Sequence, residues 1–292
     1  MKSSNPLLRQ WMTRGDTSGG AARPTAVAGG RGVVTPSLAT IDLRKDAGAA
    51  YGPGSAPSAR GADGIMTMDD VIVRTAMTLG TVVLAAVLSW VLLPVDPMRI
   101  GTSYGIAGAA ALAAFTLSMV QAFKRRPSPA LILAYAALEG VFLGVVSATV
   151  STYIAPGTVI QAVLGTMAVF AGVLIAYRLG WIRVTRRFYG FVAAAGLGYA
   201  LLTLANLLFS AFGGHDGLGF RSGGPGIAFG LLGVVLAAAF LALHFKQVED
   251  EVRHGAPRED SWLAAFGLTL TLVWLYVELL NLLTLVREED VF

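Results

Sequence analysis

The sequence predicts an all-α integral membrane protein with seven transmembrane helices. Three observations lead there. Hydrophobic residues make up 55% of the 292 and charged residues only 14%, far from a soluble globular profile. Seven apolar runs each reach the roughly 20 helical residues that a hydrocarbon core of about 30 Å requires. Lys and Arg collect in alternate connections between those runs, so the net charge of +4 reports topology rather than affinity for nucleic acid.

Taken in order, residues 1–66 form a tail and residues 67–292 the membrane domain. The tail is rich in Gly, Ala, Ser, Pro and Arg without sustained periodicity, which predicts a disordered cytoplasmic segment. Its start, "SSNPLLRQW", is either the disordered end or a short amphipathic stretch that touches the bilayer through Leu7, Leu8 and Trp11. No apolar core follows the basic start closely enough for a secretory signal. At "TMDD", Thr67 with Asp70 three residues on predicts a capped helix start. The spans fall near 72–94, 102–123, 130–154, 158–178, 187–211, 225–247 and 262–286, punctuated by Pro94, Pro127, Pro129, Pro156, Gly157, Gly213, Gly214, Pro225 and Pro257.

Lys124, Arg125 and Arg126, then Arg178, Arg183, Arg186 and Arg187, then Arg253 and Arg258, belong with the tail on one side. The opposite connections hold only Arg99 and Arg221. The positive-inside rule therefore expects a cytoplasmic amino terminus and an outer carboxyl terminus in a plasma membrane such as the bacterial inner membrane.

The chain has no cysteine, which excludes disulfides, thiolate metal sites and cysteine nucleophiles. It contains no HExxH, GxSxG or GxxxxGK, and of three histidines His215 is expected on the side opposite His244 and His254. The expectation is a protein that is not an enzyme and carries no cofactor and no firm metal site. The acidic and basic residues from Glu249 to Asp260 read as a solvated face.

Ionisable residues within a span are functional candidates because each costs about 3 kcal/mol at mid-helix; the bland alternative is an interhelical hydrogen bond. Glu139 in the third span and Glu278 in "VWLYVELLNLLTLV" lead, with His244 at the cytoplasmic end of the sixth span and Asn281 beside Glu278. Asn206 reads as a packing residue. In the seventh span Gly267, Thr271, Trp274, Glu278, Asn281 and Leu285 recur at steps of four and three, so they share one face. That face carries the polar side chains of the span's interior apart from Thr269 and Tyr276 and should look into the bundle. Gly140 with Gly144, and Gly226 with Gly230 and then Gly233, read as close-packing stripes.

"YAALEGVFLGVVSA", "RLGWIRVTRRF" and a final "LYVELLNLL" behind a charged loop together resemble the Bax inhibitor, or YccA-like, transmembrane family over essentially the whole chain. The "SSNP" start and the "MTMDDVIVRTAMTL" stretch are similar to its actinobacterial-type members. The resemblance implies two three-helix layers around a central C-terminal helix. It also implies a pH-sensitive leak pathway for cations, calcium among them. The alternative is a non-conducting membrane regulator or scaffold, such as the modulators of a membrane-anchored AAA protease among bacterial members. The expected partners are the lipid bilayer, calcium or protons, and other membrane proteins.

The family's pH sensor is a pair of aspartates, one at the end of the sixth helix and one within the seventh. On this chain they fall at His244 and Glu278, and both depart from the pattern. Glutamate keeps the charge; histidine reverses the available one, so a two-carboxylate calcium site does not form unchanged. A His244–Glu278 contact would instead hold the last two helices together while both are charged. The helix frames nevertheless place His244 nearer the cytoplasm than Glu278. Glu139 resembles the acidic residue that the family carries in its third helix.

Overall fold

Helix α1, Met68–Leu92, begins where the capping pattern places it. The Thr67 hydroxyl accepts the Asp70 N–H at 3.2 Å, and the Asp70 carboxylate accepts the Thr67 N–H at 3.2 Å. The computed structural model describes residues 64–124, 126–154, 156–212, 219 and 222–289, with backbone only at 211, 288 and 289. Expectations for the tail through residue 63, and for Arg125, His215, Arg221 and Phe292, lie outside the described residues.

Helix α2, Ile100–Phe123, follows a turn in which the Asp96 carboxylate accepts the N–H groups of Met98 and Arg99, each at 3.1 Å. Helix α3, Pro129–Thr149, starts on a proline whose missing N–H would have had no partner there, and widens into a π turn over Val150–Ile154. Helix α4, Thr158–Arg178, starts behind Gly157, whose φ of 84° favours glycine. Then come α5, Arg186–Phe212; α6, Gly223–Arg253; and α7, Ser261–Glu289, entered through a short turn at Arg258–Asp260.

All seven are long and apolar enough to cross a membrane, and the expected boundaries hold within a few residues. The largest difference is at the end of α6, expected near 247 and found at Arg253. Pairs one turn apart carry the helix past its apolar run: Lys246 with Asp250 at 2.6 Å, Gln247 with Glu251 at 2.8 Å and Arg253 with Glu249 at 2.5 Å.

Helix α3 packs along α1 and α2, α6 takes α4 and α5, and α7 touches α1, α3, α4 and α6. Two groups of three thus flank the last helix. Its most apolar stretch is 61% buried, against 11 to 44% for the other spans, which makes α7 the central element. Glycines set the closest approaches. At Gly140 an added Cβ would lie 2.7 Å from Ala85 Cβ, and at Gly144 2.8 Å from Ser89 Cβ, so the stripe beside Glu139 packs α3 onto α1. The Ser89 hydroxyl donates to the Val141 carbonyl at 2.8 Å in the same seam.

Residues 64–66, which the sequence reading places in the tail, are instead part of the fold. The Met66 N–H donates to the Ala256 carbonyl and the Arg258 N–H to the Gly64 carbonyl, both at 2.9 Å, around an antiparallel bridge between Ile65 and Pro257. Met66 is 1% exposed and joins the core cluster of Val71, Val248, Ala264 and Leu268. The short apolar pair Ile65 and Met66 has no periodicity of its own; only the turn between α6 and α7 supplies its partner.

Candidate functional site

The polar face of α7 looks into the bundle as expected, and the structure sets it against α6, with the two helices antiparallel. Leu282 lies against Gly230, the Glu278 carboxyl against Gly233, the Trp274 ring edge-on to Phe240 at 5.8 Å, and Gly267 against the His244 imidazole. Glu278 is 2% exposed, at a depth where an unsatisfied carboxyl is costly. The Trp274 Nε1–H donates to its Oε1 at 3.2 Å. Tyr199 reaches the same spot from α5. A Cβ on Gly233 would stand 2.5 Å from the Tyr199 hydroxyl and 3.0 Å from Glu278 Cδ. Tyr199 stacks on Phe229 with ring centroids 4.4 Å apart and leans on Trp274 at 5.6 Å. The carboxyl therefore lies beside the Tyr199 phenol of α5 and the Trp274 indole of α7, in a space that exists because position 233 of α6 has no side chain.

Thr269 and Tyr276, polar residues of α7 that fall off this face, serve other neighbours. The Thr269 hydroxyl shares a 2.7 Å hydrogen bond with Thr78 of α1, and the Tyr276 hydroxyl one of 2.7 Å with Ser147 of α3. Polar groups on α7 are thus sorted by partner helix, which fits a helix surrounded on all sides.

The structure does not bring His244 to Glu278. A Cβ on Gly267 would lie 2.7 Å from His244 Cε1, and Glu278 is eleven residues further along, about 16 Å at 1.5 Å per residue. The contact considered from the sequence does not form, because antiparallel packing pairs His244 with the start of α7 and Gly233 with its middle. Glu139 is half-buried on α3, one turn beyond Tyr135, whose ring meets Phe266 of α7 edge-on at 5.3 Å. Among the described residues no side chain hydrogen-bonds or ion-pairs with the Glu139 carboxyl or the His244 ring. Asn281 is half-buried one turn past Glu278 on the same face. Glu278 and Asn281 therefore share a place, while Glu139 and His244 each lie apart.

Sequence reasoning missed Tyr199 as a member of the site. The one signal for it was the glycine at 233: its stripe was read as packing, whereas it also makes room for a carboxyl and a phenol. Among the described residues no group of three or more His, Asp or Glu side chains is placed to hold a metal ion.

The seven-span frame, the central α7 and its buried carboxylate can be set beside known families. The model of the family described as Bax inhibitor 1 like matches residues 5–288. The chain belongs to the Bax inhibitor 1-like family. No curated protein matches it at a significant level. This Bax inhibitor 1-like protein is accordingly a multi-pass membrane protein, and it carries a glutamate near the centre of its last helix and a histidine within α6, nine residues before that helix ends.

Proposed function

We propose that this Bax inhibitor 1-like protein is a non-enzymatic, pH-responsive leak pathway for cations, calcium or protons, with Glu278 at its centre. The supporting observation is the buried Glu278 carboxyl, held by Trp274 at the seam of α5, α6 and α7. An ionised carboxylate only accepts hydrogen bonds, whereas the protonated form also donates one. A proton taken up there changes what Glu278 asks of its neighbours and biases how α7 seats against the glycine stripe of α6. His244 lies apart on α6, against Gly267 of α7, and Glu139 is a second carboxyl on the α3 side of α7.

The proposed membrane is a plasma membrane, with the amino terminus cytoplasmic and the carboxyl terminus outside. Reporter fusions after residue 60, in the 179–186 connection and at Phe292 test this, and a cytoplasmic signal at Phe292 overturns it.

The separation of His244 from Glu278 favours a second reading, a non-conducting regulator of another membrane protein, for which no ion pathway is needed. Liposomes with a trapped calcium dye distinguish the two at acid and neutral pH. The leak reading expects pH-dependent flux that Glu278→Gln abolishes while the protein stays folded. It also expects no new calcium site from His244→Asp, because that side chain faces Gly267. Absence of flux from the folded natural protein at both pH values leaves the regulator.

A further inference from the structure

The connection between α4 and α5 takes no part in the seam around Glu278, yet it concentrates charge. From Tyr177 to Tyr189 the chain reads "YRLGWIRVTRRFY", with four arginines and no carboxylate. Arg178, Arg183, Arg186 and Arg187 are all exposed. Among the described residues the ion pairs involve Lys246, Arg253 and Arg258, and none of these four arginines meets an acid.

The segment is nevertheless built. Gly180, at φ 73°, reverses the chain at the end of α4, and the Trp181 N–H returns to the Ala176 carbonyl at 3.0 Å. Val184 and Phe188 pack inward with Val192 and Leu243. The Thr185 hydroxyl accepts the Phe188 N–H at 3.2 Å and caps α5, so the backbone there is already served. Arg186 and Arg187 then occupy the first turn of α5 with no acid beside them, where the helix dipole disfavours cations. Trp181 is left 78% exposed, and Leu179 and Tyr189 59% and 60%.

Exposed guanidiniums alternate here with an exposed indole, at the ends of two apolar spans. In water the arrangement wastes both; at the edge of a bilayer it suits both. Arginine forks match phosphate oxygens, and tryptophan favours the headgroup level. We propose that the α4–α5 connection is a recognition surface for anionic phospholipids, in which Arg183, Arg186 and Arg187 hold headgroup phosphates and Trp181 sits in the boundary beneath them. A soluble acidic protein segment would satisfy the arginines, but not an indole and a leucine presented at the end of the spans. The surface depends on neither the conduction reading nor the orientation.

The test uses the full chain, stripped of lipid in detergent and then offered mixed phosphatidylglycerol and phosphatidylcholine. Native mass spectrometry reads the bound lipid. The natural protein should retain phosphatidylglycerol in preference, less so as salt rises. Arg183→Gln, Arg186→Gln and Arg187→Gln should each lower that preference about fivefold per charge removed. Lys124→Gln with Arg126→Gln should leave it unchanged. Excess inorganic phosphate should not displace the lipid, which separates a headgroup site from a free-anion site. In vesicles of the same two lipids, brominated phosphatidylglycerol should quench fluorescence less in Trp181→Phe than in the natural protein. Single variants leave most of the surface intact, so folding does not decide the result. Undiminished preference in all three, phosphate displacement, or quenching indifferent to Trp181→Phe overturns the proposal, and retention of an acidic peptide in place of lipid assigns the surface to a protein partner instead.

Discussion

The indole N–H of Trp274 donates to the carboxylate of Glu278 at 3.2 Å, one turn apart on the central helix. The same carboxyl lies against Gly233 of α6. Trp274→Phe removes the donor while keeping an aromatic ring near Tyr199 and Phe240. It should lower stability by about 1–3 kcal/mol in detergent thermal unfolding, the range for a hydrogen bond to a charged or buried group. In the Glu278→Leu background the same change should cost less, because the indole N–H then has no acceptor there to lose. Equal costs in the two backgrounds would show that the ring contacts, not the hydrogen bond, carry the effect.

Two glycines one turn apart on α6 should respond differently to alanine. A Cβ at Gly233 meets the Tyr199 hydroxyl at 2.5 Å and Glu278 Cδ at 3.0 Å, whereas at Gly230 the nearest atom, on Leu282, is 3.5 Å away. Gly233→Ala should therefore destabilise by about 1–3 kcal/mol, the usual cost of overpacking, and Gly230→Ala should be near neutral. Thermal transitions of the two purified variants decide it.

The Thr78–Thr269 bond ties α1 to α7 at 2.7 Å, and each hydroxyl also lies within bonding distance of a carbonyl of its own helix, Thr75 at 3.0 Å and Ala265 at 2.8 Å. Two protons serve three contacts, so the interhelical term is modest. A double-mutant cycle with valine at both positions should give a coupling of about 0.5–1.5 kcal/mol. Strict additivity would remove this pair from the forces that hold α7.

Residues 64–66 separate two truncations that the sequence alone would treat alike. Deleting residues 1–60 should leave a monodisperse, stable domain, because the contacts described above all lie at residue 64 or beyond. Deleting through residue 66 removes the pairing with Ala256 and Arg258 and the buried Met66 side chain. Met66→Ala alone should cost about 2–5 kcal/mol, as for other buried large-to-small changes. Arg258 adds a 2.8 Å ion pair to Asp70, and Arg74 reaches the Arg258 carbonyl at 2.5 Å while lying over the Trp262 ring. With the pairing and Met66 gone, the longer deletion should loosen the turn between α6 and α7, which these contacts then hold. Size-exclusion profiles and melting temperatures of the two truncations compare them directly.

By itself the sequence determined the class of solvent, the seven spans, the cap at Thr67 and the polar stripe of α7. Each of these depends on residues near one another in the chain, either as apolar runs long enough for a bilayer or as a repeat that returns to one face of a helix. It also marked Glu278, because a carboxyl in such a run is costly wherever it points. Only the tertiary structure decided which neighbours that carboxyl has. That Tyr199 reaches Gly233, that His244 rests on Gly267 rather than beside Glu278, and that Met66 closes the end of the bundle all depend on which helix lies against which and at what register. A chain read one span at a time does not contain that information, since lipid and a neighbouring helix are equally apolar to a leucine, and the glycine stripes that settle helix register show their partners only once the helices are packed.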